Sequence, residues 1–179
     1  MTEESIRPYD PGDHDGERRT VSAAFHPGNE ADLVELIRDS DQYVAEMELV
    51  AVVGDGVVGH VMISGATIVD ETGVASPVAM LSPLAVDPTR QRQGIGGALV
   101  EAVCAIAERR GEPMIVLEGS PTYYSRFGFE PSASVGITLP LPDWAPPEAA
   151  QVLRLGAHDP SDPRLRGTVR YPPAFEGFE

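Results

Sequence analysis

One stretch constrains this chain more than any other: Leu84-Ala-Val-Asp-Pro-Thr-Arg-Gln-Arg-Gln-Gly-Ile-Gly-Gly-Ala-Leu-Val100. It opens as the end of an apolar strand, Met80 to Val86. Asp87-Pro88 stops that strand, because proline has no N–H to give to a ladder. Gln91 to Gly97 then turns directly into a helix, with Ile95, Leu99, Val103 and Ile106 on one face. The first amides of a helix have no internal acceptor and carry the positive end of its dipole, so they suit an anion. Gly94 and Gly96 lack a Cβ and let a ligand approach the backbone. The pattern predicts a pyrophosphate site at a strand-to-helix turn.

Three phosphate-binding motifs compete for this reading. A Walker loop ends in Gly-Lys-Ser or Gly-Lys-Thr, and the chain contains no lysine. A dinucleotide fingerprint requires a small residue where Leu99 stands, so it fits poorly. The third pattern, Gln/Arg-x-x-Gly-x-Gly/Ala, is matched in full by Gln91-Arg92-Gln93-Gly94-Ile95-Gly96. This run resembles the coenzyme A loop of the GNAT superfamily of N-acetyltransferases, and the preceding Pro-Leu-Ala-Val-Asp-Pro resembles that family's loop-leading strand. The bland reading of the same residues is a glycine-rich turn that packs a helix on a sheet.

Composition narrows the class further. The chain has 179 residues, of which 42% are hydrophobic, enough for one domain with a substantial core. It has no apolar run of membrane-span length, and its polar N-terminus does not read as a signal peptide. The single cysteine, Cys104, excludes an internal disulfide framework and reads as a small core residue. A cytoplasmic protein is expected. The net charge of −15 disfavours nucleic acid and anionic membrane as partners and attracts cations. Acidity for solubility explains that charge at least as well as steering of a cationic amine does.

Along the chain, Ser5 to Pro8 reads as a strand and Gly16 to Phe25 as a helix broken by His26-Pro27-Gly28. Asn29 is the expected N-cap of a second helix carrying Leu33, Leu36 and Ile37 on its apolar face. Val44 to Val53 and Val57 to Ile68 read as strands joined by the hairpin signal Gly54-Asp55-Gly56. Alternation in the first of these puts Glu46 and Glu48 on one face, toward solvent or a cleft. Asp70 to Pro77 is a loop, and Val78 to Val86 is the strand before the phosphate turn, with a bulge or edge expected near Pro83. The helix ends at Arg109-Arg110-Gly111, and Pro113 to Glu118 is the next strand. Pro140 to Pro147, around Trp144, is a loop; Gln151 to Leu155 and Gly167 to Tyr171 are two closing strands. His14, His26, His60 and His158 show no metal-ligand spacing, so no metal is expected, and His60 reads as an ordinary sheet histidine.

The resemblance covers roughly Ser5 to Pro131 and implies an α/β (α+β) fold. The implied sheet is mixed and mostly antiparallel, flanked by helices and splayed at the two strands around the coenzyme A site. A single domain is expected over residues 1–179, with residues 131–179 its least defined part. The resemblance implies acetyl-CoA as acetyl donor. Its contacts would be the pyrophosphate loop Gln91, Arg92, Gln93, Gly94, Ile95, Gly96 and Gly97, backbone groups of Leu84, Ala85 and Val86 for the pantetheine arm, and Ser120. The family often has a Tyr four residues before the Gly of a Gly-Phe pair, a spacing that Tyr124 and Gly128-Phe129 match. Tyr124 is thus the candidate proton donor to the departing thiolate. Many members place an Asn where Gly119-Ser120-Pro121 stands here.

The implied reaction is direct attack of a primary amine on the thioester. A base, or bulk water, must take the ammonium proton, and Glu46, Glu48, Glu118 and Asp70 all remain open for that role. The acceptor is a small-molecule or peptide amine, and the extra C-terminal strands are available to pair across a homodimer. A non-catalytic acyl-CoA-binding module of the same fold is the alternative.

Overall fold

The computed structural model describes residues 3–178. Its main elements are β1 (Glu4–Pro8), α1 (His14–Phe25), α2 (Glu30–Arg38), β2 (Glu48–Val53), β3 (Gly56–Val69), β4 (Ala75–Val86), α3 (Ile95–Arg110) and β5 (Met114–Glu118). The short helix α4 (Pro121–Tyr124) and strands β6 (Glu130–Pro131), β7 (Ile137–Thr138), β8 (Ala150–Arg154) and β9 (Gly167–Arg170) complete it. The strands are hydrogen-bonded in the order β1-β2-β3-β4-β5-β8-β6, with β9 joined to β3 and β7 to β9. The β4–β5 and β7–β9 pairs are parallel, and β1–β2, β2–β3, β3–β9, β5–β8 and β6–β8 are antiparallel. This is the expected mixed, largely antiparallel sheet with helices. The C-terminal strands find their partners within the chain.

The chain falls into two interleaved compact units, residues 3–64 with 82–106 and residues 65–81 with 107–177. In the first, β1 and β3 flank β2, whose Leu49, Val50 and Ala51 are at most 2% exposed. Helix α3 lies close on β3, since a Cβ on Gly59 would stand 2.8 Å from Leu99 Cδ1 and 3.1 Å from Ile95 Cγ2. Ile95, Leu99 and Val103 are buried as their spacing predicts, while Ile106 is only half-buried. In the second unit, Met80, Met114, Val116, Ile137, Val152 and Val169 form one apolar cluster.

Several local expectations shift. Residues Ala45–Met47 form a 3-10 turn closed by Met47 N donating to Val44 O at 2.9 Å, so the strand begins at Glu48 rather than Val44. The turn breaks the assumed alternation: Glu46 is exposed and Glu48 fully buried, so the two do not share a face. Asn29 stands at the start of α2 with its carbonyl accepting from Asp32 N and Leu33 N, but its side chain makes no capping bond. Strand β4 starts at Ala75, inside the expected loop, and continues through a buried Pro83. Strands β6 and β7, two residues each, are too short for periodicity to reveal.

Candidate active site

The expected phosphate loop, Gln91 to Gly97, belongs to the first unit. Asp87 N donates to Val58 O at 2.8 Å, fixing the end of β4 to β3. The Asp87 carboxylate then accepts from Thr89 N and Thr89 Oγ1 at 2.8 and 2.7 Å, which shapes the turn at Pro88–Arg90. Those bonds hold the Asp87 carboxyl below its ordinary range. Gln91 reaches back, its Nε2 donating to Val86 O at 3.2 Å. Leu84 and Val86 are half-buried and Ala85 buried. Arg92 has φ +63° and Gly94 φ +90°, two left-handed residues that carry the chain over into α3. A side chain is strained at such a φ, which makes Arg92 an unusual choice there. The space beside Gly94 is open, with no atom within 4 Å of an ideal Cβ.

Helix α3 starts at Ile95, and Ala98 N donates to Gly94 O at 3.0 Å as the first closed turn. The amides of Ile95, Gly96 and Gly97 precede that bond and belong to the outward-pointing set at a helix start. Gln91, Arg92, Gln93 and Gly94 are exposed beside them. An open glycine backbone, helix-start amides and one arginine together fit a pyrophosphate. Cys104, farther along α3, is largely buried, and burial pushes its thiol up to about 12, so it is no nucleophile.

Tyr124 belongs to the second unit. Ser120 caps α4, its Oγ accepting from Tyr123 N at 3.3 Å, and Tyr124 N donates to Ser120 O at 3.0 Å. The Tyr124 ring packs edge-on against Tyr123 and Phe129, with centroids 4.9 and 5.7 Å apart. Gly128, at φ +90°, turns the chain from this segment into Phe129. A Cβ on Gly119 would lie 2.5 Å from Tyr124 Cε2, so any larger residue at this position would displace the ring.

The four candidate bases separate clearly. Glu48 Oε1 accepts from Arg38 Nη2 at 2.5 Å and His60 Nε2 at 3.0 Å; its Oε2 accepts from Tyr43 Oη at 2.5 Å and Arg38 Nε at 3.3 Å. Burial alone would raise its carboxyl, but the bonds from His60, Arg38 and Tyr43 prevail and hold it at about 2. Arg38 also donates to the buried Glu17 at 3.2 Å, and its guanidinium lies 4.1 Å above the Tyr9 ring. Glu48 is thus sealed into a structural cluster. Asp70 accepts from Thr72 N, Thr72 Oγ1 and Val74 N in a tight turn, at the opposite end of the β4–β5 ladder from Glu118. Glu46 sits on the 3-10 turn before β2. Glu118 is exposed at the end of β5, with Tyr171 Oη donating to its Oε1. The Glu118–Tyr171 pair, far apart in sequence, had no signal in the sequence.

Elsewhere in the second unit a cavity of about 350 Å³ is lined by Arg154, His158, Leu165 and Arg166, and none of the predicted site residues borders it. Among the described residues no helix is long and apolar enough to cross a membrane, and no group of three or more His, Cys, Asp or Glu could hold a metal ion.

Comparison with known proteins agrees with this geometry. Residues 5–132 match the acetyltransferase (GNAT) domain family. The chain is 34% identical over 127 residues to the uncharacterized N-acetyltransferase YjhQ of Escherichia coli (strain K12), covering 70% of this chain and 69% of that protein. It is 33% identical over 175 residues to the uncharacterized N-acetyltransferase YhbS of the same strain, covering 97% of this chain and 99% of that protein. The crystal structure of Escherichia coli YhbS in complex with CoA has a TM-score of 0.86 at 29% identity, over 100% of this chain and 95% of that one. A GNAT family acetyltransferase from Brucella melitensis in complex with acetyl-CoA has a TM-score of 0.76 at 29% identity, over 98% and 99% of the two chains. The loop motif, the domain match and two likenesses spanning nearly the whole chain converge: this protein belongs to the GNAT superfamily of N-acetyltransferases.

Proposed function

We propose that the protein transfers an acetyl group from acetyl-CoA to a primary amine by direct attack, without a covalent enzyme intermediate, and that it works in the cytoplasm. The observation that carries this reading is the turn into α3, where a left-handed, sterically open Gly94 leads into the amides of Ile95, Gly96 and Gly97. In this reading those amides, with Gln91, Arg92 and Gln93, hold the pyrophosphate. Backbone groups of Leu84, Ala85 and Val86 meet the pantetheine arm, and an amide among them polarises the thioester carbonyl. Ser120 makes a further donor contact. Tyr124 gives its phenolic proton to the departing thiolate. The family relation and the CoA complexes of its relatives support this reading.

The test pairs binding with turnover. Isothermal titration should show acetyl-CoA binding to the wild type and none to Gly96→Glu, whose carboxylate would stand in the anion site. A Gly96→Glu variant that is folded by circular dichroism and binds acetyl-CoA as before means the loop assignment is wrong. Thiol release on a panel of amines should show turnover by the wild type. Binding without thiol release from any amine would make the chain an acyl-CoA-binding module instead.

A further inference from the structure

We infer that Glu118 receives the ammonium group of the acceptor and takes its proton, and that Tyr171 positions the carboxylate for that step; this rests on the acetyl-transfer reading above. The argument starts from alternation along β5. Met114 and Val116 point into the apolar cluster with Ile137, Val152 and Val169, and Tyr171 packs against the same cluster. Glu118 follows on that face, two residues beyond Val116. There Tyr171 Oη donates to its Oε1. Leu117 and Gly119 take the other face. A Cβ on Gly119 would meet Leu117 Cδ1 at 3.3 Å and Tyr124 Cε2 at 2.5 Å. Gln151, the register partner of Leu117, donates its Nε2 to Gly119 O at 3.0 Å on that side. Gly128 lies there too, its ideal Cβ 3.2 Å from Leu153, whose register partner is Ile115.

The end of β5 therefore carries the Glu118 carboxylate on one face and meets the Tyr124 ring on the other, where Gly119 leaves room for it. Direct transfer calls for such a division, because a proton must leave the nucleophile where it arrives and reach the leaving group where it departs. The incoming R–NH3+ gives one proton to Glu118. The freed nitrogen lone pair forms the C–N bond at the thioester carbonyl. The C–S bond breaks with its electron pair going to sulfur, and the thiolate takes the Tyr124 proton. The second proton shed by nitrogen as the amide forms restores the Tyr124 phenol, and Glu118 returns its proton to solvent. One proton is released overall.

Tyr171 suits a fixed donor. Its burial, then its bond to Glu118, raise its phenol above the ordinary tyrosine value, so it stays protonated and keeps donating. It engages Oε1 and leaves Oε2 for the ammonium. Of the other candidate carboxylates, Glu48 is sealed from solvent and Asp70 is held in its own turn at the far end of the ladder.

The test uses the full chain with acetyl-CoA and two nucleophiles: an alkyl primary amine, cationic at neutral pH, and hydroxylamine, already neutral there. Glu118→Gln is isosteric and should lower kcat/KM on the alkyl amine by about 10²-fold while keeping turnover of hydroxylamine, which needs no base. Tyr171→Phe should give a smaller loss of kcat/KM on the alkyl amine and, like Glu118→Gln, keep turnover of hydroxylamine. A Tyr171 of structural importance only would change the melting temperature and lower turnover of both nucleophiles alike. Acetyl-CoA affinity by isothermal titration should be unchanged in both variants. Full alkyl-amine turnover in Glu118→Gln, or an equal loss with both nucleophiles, overturns the assignment of Glu118 alone. A wild type that binds acetyl-CoA and acetylates neither nucleophile overturns the transfer reading, and this one with it.

Discussion

Glu48 begins β2 and Glu118 ends β5, so each carboxylate stands at one end of a strand. Around Glu48 the chain places a guanidinium, an imidazole and a phenol, and every lone-pair direction is occupied within a sealed interior. Around Glu118 it places one phenol, on one oxygen, and leaves the group exposed. Two residues of the same type thus have opposite surroundings. Donors that saturate a buried carboxylate convert it into a structural anchor, because any proton uptake breaks bonds that water cannot replace. A single donor orients a carboxylate and leaves it able to exchange a proton.

The sharpest way to break this contrast is to remove the cation on the Glu48 side. Arg38→Met leaves Glu48 and Glu17 buried beside each other without their shared partner, and should cost about 3–5 kcal/mol of unfolding free energy by urea titration. A loss no larger than that of an ordinary surface substitution would mean the cluster does not anchor the unit.

Acid should reveal the same anchor. Glu48 titrates at about 2 in the folded chain against 4.5 ordinarily, a depressed carboxylate. Its stabilisation is complete above the unfolded value and is lost as pH falls from about 4.5 through about 2, roughly 3 kcal/mol in all. Glu48→Gln should flatten this part of the stability-against-pH curve.

On the other side of the comparison, effects should appear in rate. Tyr124→Phe keeps the ring between Tyr123 and Phe129 and removes only the hydroxyl. It should lower kcat by about 10²-fold, the low end for a general acid, with little change in acetyl-CoA affinity. Full retention of kcat, with chemistry shown to be rate-limiting, would remove Tyr124 from the mechanism. Gly119→Ala is the mildest of the set. Its methyl would overlap the Tyr124 ring and should cost about 1–3 kcal/mol of stability by overpacking. If the ring is the donor's scaffold, kcat should fall in the same variant while KM for the amine holds.

How much of this was legible in the sequence differs between the two carboxylates and the loop. The loop's turn, its helix start and the buried Ile95, Leu99 and Val103 are where the residue pattern puts them. Tyr124, placed by the family resemblance four residues before Gly128, stands on a short helix. The burial of Glu48 is hidden from the sequence because three residues of 3-10 turn interrupt an apparent strand and cancel its alternation. Glu118 could not be separated from three rivals, since its partner Tyr171 is 53 residues away.

The sequence by itself determined the strand, the proline stop, the glycine turn and the amphipathic helix, and with them the family. Each of these is encoded within a few consecutive residues, through missing donors, missing Cβ atoms and a period of 3.6. Tertiary structure alone decided which acids are buried and which remain open. Arg38 reaches Glu17 across 21 residues and Glu48 across 10, and His60 reaches Glu48 across 12. Side-chain pairs of that separation exist only once helices and strands have docked, because docking fixes which polar groups lose water and which protein donors replace it.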